Sequence, residues 1–209
     1  MTVSRTSFAD RLVVAAMALI TAGCILLAGR LYWLHVAPPV VPAYYQTIGG
    51  DFTLNSADGP VSLHDLRGKV LLVYFGYTHC PDACPAVMTQ FAAAFDKLPQ
   101  EERKKVAGIF ISIDPARDTP PALKSYVRFF HPQIIGLTGR IKTIIRMAKQ
   151  WGVSFAYGRK NARGGYLIDH SSTIYLVNPQ GRVAALFKPY NSTPGVLADA
   201  IRQWLPWAR

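Results

Sequence analysis

Two cysteines separated by three residues, Cys80-Pro81-Asp82-Ala83-Cys84, stand between two differently patterned segments. Before them runs an unbroken apolar stretch, Val70-Leu71-Leu72-Val73-Tyr74-Phe75. After them Met88, Phe91, Ala92, Phe95 and Leu98 recur at helical spacing. An apolar run without alternation predicts a strand buried on both faces. The chain therefore passes from a buried strand, through a dithiol turn, into a helix. The first turn of a helix carries unpaired N–H groups and a partial positive charge. A thiol placed there ionises readily, and thiolate is the form that binds soft metals or attacks disulfides. Pro85 lacks an N–H and would clash inside a helix. Regular helix is thus expected to begin near Cys84, with Cys80 in the preceding turn. The spacing is one residue longer than that of a thioredoxin-type redox pair.

The rest of the chain reads as alternating strands and helices. Residues 49–54, the turn Ser56-Ala57-Asp58-Gly59 and residues 61–63 predict a short hairpin. Buried strands are expected at 70–77 and 106–113, with a helix over 85–98 between them. Thr119-Pro120 sets a capping hydroxyl before a proline at the first helical position and opens a helix to Phe130. A strand at 134–137, a helix through Ile141, Ile144, Ala148 and Trp151, a strand at 153–157 and a polar loop at 160–165 follow. Strands at 173–177 and 183–187 flank the turn Asn178-Pro179-Gln180-Gly181, and Thr193-Pro194 caps a last helix ending about Trp204. This order predicts one α/β domain, a mixed sheet with helices on both faces. A dithiol between the first long buried strand and its helix points to a thioredoxin-like fold.

Residues 12–29 carry no charge, which is long enough for a membrane-spanning helix with 31–36 as its interfacial extension. Tyr32 and Trp33 suit the headgroup region, and Arg30 can snorkel to it. Arg5 and Arg11 precede the run and only Arg30 follows closely, which predicts a cytoplasmic N-terminus. A cleaved signal peptide has a shorter apolar region. Thr21-Ala22-Gly23-Cys24 resembles a lipoprotein cleavage box except that Thr21 stands where Leu is expected, so processing at Cys24 stays an open alternative. The expected layout is a cytoplasmic N-terminus at 1–11, a transmembrane anchor at 12–36, a proline-rich tether at 37–46 and an outer domain at 47–209. Residues 1–11 leave no room for a mitochondrial transit peptide, so a single-pass bacterial inner-membrane protein with a periplasmic domain is expected.

Setting aside Arg5, Arg11, Arg30 and Asp10 from the 23 basic and 12 acidic residues leaves 20 and 11 beyond residue 40, a net +9. A periplasmic domain rarely meets nucleic acid, so none is expected as a partner. Acidic protein surfaces or anionic headgroups match this charge better, the alternative being a solvated basic face. Arg140, Lys142, Arg146 and Lys149 fall on one predicted helix with no acid among them.

In an oxidising compartment Cys80 and Cys84 can form a disulfide, but a loop this short removes little chain entropy, so a structural staple is a poor reading. Soft thiolates select Cu(I), zinc or iron–sulfur clusters. Structural zinc normally takes four protein ligands, and the outer domain has only these two cysteines; two sulfurs and one imidazole suit three-coordinate copper. Four histidines compete for the third place. His79 should point away from its neighbour Cys80 in an extended segment. His64 sits in a surface turn, and His131 sits before Pro132 at a helix end, where a solvated or dipole-capping role is expected. His170 leads through Ser171-Ser172-Thr173 into a strand that can lie beside the first buried one. Asp82 and Asp169 are candidates to orient the imidazole, with a helix N-cap and a turn residue as their respective alternatives. Asp114-Pro115-Ala116-Arg117-Asp118-Thr119-Pro120 reads as a structural turn and cap.

Three segments together resemble the Sco/SenC family: Phe75-Gly76-Tyr77-Thr78-His79-Cys80-Pro81-Asp82-Ala83-Cys84-Pro85, Ile113-Asp114-Pro115-Ala116-Arg117-Asp118-Thr119-Pro120, and Tyr166-Leu167-Ile168-Asp169-His170-Ser171. The similarity spans about residues 47–205. It implies a thioredoxin-like domain that binds copper, as Cu(I) with Cu(II) left open, through Cys80, Cys84 and His170. It implies a metallochaperone role in building the dinuclear copper (CuA) centre of cytochrome c oxidase subunit II, with other copper chaperones as further partners. The alternative is a thiol–disulfide reductase in which Cys80 and Cys84 are a redox-active, catalytic dithiol and His170 is dispensable. A thioredoxin-type enzyme usually has proline just before the strand facing its dithiol; His170-Ser171-Ser172-Thr173 at that place leans toward metal. A peroxidase would need a dedicated donor set that is not identifiable.

Overall fold

The computed structural model describes residues 8–36, 39–162 and 164–208. Arg5, Pro38 and the side chains of Arg11, Tyr32 and Trp33, on which the anchor and tether readings drew, lie outside the described residues. The chain falls into two units, residues 1–38 and 39–209. The first contains helix α1 (Phe8–Val36), whose segment Val13–Arg30 is long and apolar enough to cross a membrane. Its side chains there, among them Val14, Leu19, Ile25 and Leu26, are exposed.

The second unit begins with a 3-10 turn at Ala43–Thr47 and a hairpin of β1 (Thr53–Ser56) and β2 (Gly59–Ser62). Then come β3 (Val70–Gly76), α2 (Ala83–Asp96), the short α3 (Gln100–Arg103), β4 (Val106–Ser112), α4 (Pro120–Phe130), β5 (Ile134–Leu137) and α5 (Ile141–Gln150). A small hairpin of β6 (Phe155–Tyr157) and β7 (Ile168–His170) precedes β8 (Ile174–Val177), β9 (Val183–Phe187) and α6 (Pro194–Arg202). The main sheet has the order β5-β4-β3-β8-β9. β3, β4 and β5 are parallel, and β8 returns antiparallel beside β3.

Every residue of β3 and β4 is buried, as their continuous apolar runs require of strands covered on both faces. Parity divides β3 between the faces. Gly76 lies under Cys84 of α2, and Tyr74 packs on Phe110, whose ring in turn meets Tyr126 of α4. Right-handed crossovers put α2 and α4 on this one side, and α6 packs against α2. Phe75 points the other way, to Trp151 at the C-terminal end of α5. There Trp151 is buried, with ring centroids 5.8 Å from Phe75, 5.4 Å from Tyr175 and 6.3 Å from Phe52. The Tyr175 hydroxyl donates to the Trp151 carbonyl at 2.8 Å, and burial pushes its pKa up to about 12.

Local signals placed most elements. Thr119 Oγ1 accepts the Ala122 N–H and Thr193 Oγ1 accepts the Val196 N–H, the two caps expected. α2 starts at Ala83, next to Cys84 where regular helix was expected, and Pro85 is tolerated in its first turn. His131 departs from expectation: it is 7% exposed, stacked edge-on at 5.4 Å against Phe95 of α2, and burial lowers its pKa. Helix α2 covers that corner of the sheet and excludes the water a dipole-capping histidine would need. β7 was not expected, since three residues with alternating burial carry no periodic signal.

Trp151→Ala, which empties the largest fully buried site, is expected to lower unfolding free energy by about 3–5 kcal/mol. Urea unfolding of residues 39–209 measures this, and a loss below about 1 kcal/mol contradicts the packing described.

Candidate metal centre

The site lies where β3 ends and α2 begins. A Cβ on Gly76 would stand 2.7 Å from Cys84 Sγ and 2.9 Å from the Phe110 ring, so a bare backbone is what lets the thiol settle onto the sheet. Cys84 is buried and Cys80 is half-buried on the outer side of the turn. The Cys80 N–H donates to the Tyr77 carbonyl at 3.2 Å, closing that turn, and the Cys84 N–H points at Cys80 Sγ at 3.5 Å. His170 Nε2 lies 3.7 Å from Cys84 Sγ. The two sulfurs and an imidazole nitrogen all fall within 4.8 Å of one another.

The imidazole is held by its surroundings. Tyr74 and Tyr77 each present an edge to it, with centroids 5.9 Å away. Pairing of β7 with β6 sets His170 opposite Phe155, and the Ser171 N–H donates to the Ser154 carbonyl at 2.9 Å. The Tyr77 hydroxyl accepts the Ile168 N–H at 3.1 Å, tying β7 to the end of β3. His170 Nδ1 is 3.3 Å from the Ser171 carbonyl. A proton on Nδ1 donated there leaves the Nε2 lone pair facing the sulfurs. Asp82 and Asp169 are exposed, and among the described residues neither carboxylate hydrogen-bonds or ion-pairs with the imidazole, whose Nδ1 faces the Ser171 carbonyl. Asp82 occupies the N-cap position of α2 without a side-chain capping bond. The main chain therefore does the orienting that sequence reasoning offered to a carboxylate.

The Asp114–Pro120 motif reaches further than a turn and cap. Buried Asp114 pairs with Arg117 and accepts the Tyr166 hydroxyl at 2.7 Å. The Arg117 guanidinium lies 3.7 Å from the Tyr166 ring centroid and donates to the Tyr166 carbonyl at 3.0 Å. Tyr157 donates to the Ile113 carbonyl at 2.8 Å. The loop after β4 thus clamps the hairpin that carries His170. Asp118, fully buried, accepts the Thr78 N–H at 3.0 Å and the Ser112 hydroxyl at 2.6 Å, fixing the start of the cysteine turn. His79 lies 3.8 Å from Asp118, away from the sulfurs as its position next to Cys80 implied. His64 is exposed beside Asp65.

The two thiols are unequal. The hydrogen bond from Cys84 brings Cys80 down to about 4, against the opposing effect of burial and with help from the main-chain amides of Cys84 and Asp82. Cys84 is pushed up because its proton serves Cys80 and because it is buried. The two effects favour the charge on Cys80 and the proton on Cys84. Burial, and then the neighbouring sulfur charge, raises Tyr74 as well. The group offers two sulfurs and one nitrogen without a carboxylate, which fits a soft cation and not the oxygen-seeking hard ones. A second group, His79 with Asp114 and Asp118, has its carboxylates engaged by Arg117, Tyr166, Thr78 and Ser112.

A thioredoxin-like domain with a dithiol–imidazole group where β3 meets α2 is the class that fold and site define. Within that class the SCO1/SenC family profile matches residues 42–206, and the chain belongs to this family. It is 37% identical over 164 residues to the mitochondrial protein SCO2 of Saccharomyces cerevisiae, covering 76% of this chain and 54% of that one. The chain spans about half the length of the curated relatives it matches. A structure of Bradyrhizobium japonicum ScoI with copper bound superposes with TM-score 0.69 at 35% identity, covering 75% of this chain and 99% of the other. BsSco, a member of the Sco family of cytochrome c oxidase assembly proteins in which a disulfide switch was identified, superposes with TM-score 0.62 at 26% identity, over 80% and 98% of the two chains.

Because the lowered pKa of Cys80 keeps it ionised through neutrality, its alkylation rate in the apo domain is expected to stay on its plateau down to pH 6 and to fall only toward pH 4. Iodoacetamide kinetics from pH 4 to 9 measure this, and Cys84→Ala, which removes the donor to Cys80, is expected to lose the plateau. A wild-type midpoint near 8.5, that of a free thiol, contradicts the pairing.

Proposed function

We propose that the chain is a copper carrier which serves the assembly of cytochrome c oxidase, with Cys80, Cys84 and His170 as the ligands of Cu(I). The observation that carries this is the convergence of two sulfurs and the Nε2 of His170 within 4.8 Å, with no carboxylate in the group. Family membership and the copper-bound ScoI structure support the reading. Copper is cargo here. Cys80, ionised and half-buried, is the ligand a donor or acceptor reaches first. Cys84 must release its proton to bind, so affinity falls as pH falls. His170 completes the set from the opposite hairpin. The acceptor we infer is the CuA-bearing domain of subunit II.

The anchor belongs to the same proposal. The segment Val13–Arg30 supports a span at residues 12–36 with residues 1–11 in the cytoplasm and the domain at 47–209 in the periplasm, joined by the tether at 37–46. An alternative role as thiol–disulfide reductase is favoured by the unequal thiols. Cys80 thiolate would attack an acceptor disulfide, releasing one acceptor thiol. Cys84 would then displace the second, leaving a Cys80–Cys84 disulfide and two reduced acceptor thiols.

The two roles separate at His170. His170→Ala is expected to weaken Cu(I) binding at least about tenfold and to impair oxidase assembly in cells at limiting copper, while dithiol reactivity stays. Competitive Cu(I) titration and oxidase activity in cells measure the two effects. Full assembly with the variant at limiting copper would replace the carrier reading with the reductase one.

A further inference from the structure

Helix α5 presents an outer face that nothing in the fold uses. Ile144, Met147 and Ala148 are buried beneath it, while Arg140 at its N-cap, Lys142, Arg146 and Lys149 are exposed. Lys142, Arg146 and Lys149 follow one another at four- and three-residue steps and so form one stripe. Among the described residues none of the four makes an ion pair; the nearby Asp51 pairs with Arg67 instead. Like charges at this spacing weaken a helix, as does a cation at its N-terminus. Two large apolar side chains sit in the same face, Ile141 at 37% and Ile145 at 53% exposure. Exposed branched aliphatics set among unpaired cations are the pattern of a helix lying in a lipid headgroup layer.

The position of α5 selects lipid over a protein acceptor. Its last residue accepts the Gly49 N–H, Gly49 to the Gln150 carbonyl at 3.0 Å, where the tether joins the domain. Gly49 also abuts Val183, which pairs with Val177, which pairs with Leu71 near the start of β3. The cysteines lie on the other face of the sheet from α5, since Phe75 points to Trp151 at the end of α5 and Gly76 to Cys84. An acceptor seated on α5 would therefore sit across the sheet from the thiols. The part of the tether before the 3-10 turn, residues 37–42, spans at most ~20 Å, so a bilayer holding α1 stays at high effective concentration near the domain.

We propose that α5 docks the domain on anionic lipid headgroups through Arg140, Lys142, Arg146 and Lys149, with Ile141 and Ile145 seated at the headgroup boundary. This rests on the anchor reading above, and docking leaves the cysteine face of the sheet free. Among the described residues the whole buried core lies within 39–209, and the ScoI chain that superposes is covered almost wholly by 75% of this chain, so the domain is expected to fold without α1. Co-sedimentation of that domain with phosphatidylcholine vesicles, and with vesicles containing about a third phosphatidylglycerol, tests docking without the anchor. Binding to the anionic vesicles alone is expected, falling as salt rises. Lys142→Glu with Arg146→Glu should lower it at least about tenfold, and Ile145→Ser should lower it with no change in net charge. Thermal unfolding confirms that each variant is folded, and Lys142→Gln with Arg146→Gln replaces a misfolded double reversal. Equal binding to both vesicle types, or no loss in any folded variant, overturns the proposal. So does weaker capture of the charge-reversed domain by a soluble acidic acceptor domain while vesicle binding is unchanged. Carbonate extraction of the full chain from membranes tests the anchor separately: if it stays in the pellet while the domain ignores anionic vesicles, docking fails and the anchor stands.

Discussion

Cys84 Sγ occupies the space above Gly76 that any side chain at that position would fill, and much of the site follows from this contact. It joins the first turn of α2 to the middle strand of the sheet. It buries one thiol while the turn through Pro81 and Asp82 keeps the other at the surface. Burial and the hydrogen bond between the sulfurs then give the proton to Cys84 and the charge to Cys80. A symmetric pair of exposed thiols would have no such polarity. Here the outer sulfur is the more accessible and the more easily ionised of the two.

The imidazole comes from a separate part of the chain, and the fold invests several interactions in bringing it there. β6 and β7 are only three residues each, too short to be stable alone. They are secured by the Tyr77 hydroxyl, by Arg117 between Asp114 and Tyr166, and by Tyr157 on the Ile113 carbonyl. The residues after β4 therefore act on His170 through the hairpin that carries it. The same region, through Asp118 and Thr78, sets the start of the cysteine turn. Both halves of the dithiol–imidazole group are positioned from one buried corner.

The strand–dithiol–helix order, the α4 and α6 caps and the β8–β9 hairpin were legible because each is encoded within a few residues: an apolar run, a Thr-Pro pair, a Pro-Gln-Gly turn. Cys80, Cys84 and His170 were legible as chemistry, and resemblance singled out the histidine. What escaped depends on distant packing. Asp82 and Asp169 are adjacent to the group in sequence yet exposed, and the Ser171 carbonyl takes the place they were offered. Tyr74 and Tyr77 read only as strand-filling aromatics, because nothing local says that both would flank an imidazole almost a hundred residues later. His131 looked solvated because the wall that buries it belongs to α2. Gly76 carried a usable signal, a glycine ending a bulky buried run, which marks close approach by another element.

The central claim is that one Cu(I) is held by two sulfurs and one imidazole within a single domain. X-ray absorption at the copper edge of the Cu(I)-loaded domain, residues 39–209, tests it most directly. The account predicts two sulfur and one nitrogen neighbours in the wild type and loss of the nitrogen in His170→Ala. Three or more sulfurs, which would require thiols from a second molecule, or a nitrogen that persists in His170→Ala, would contradict it.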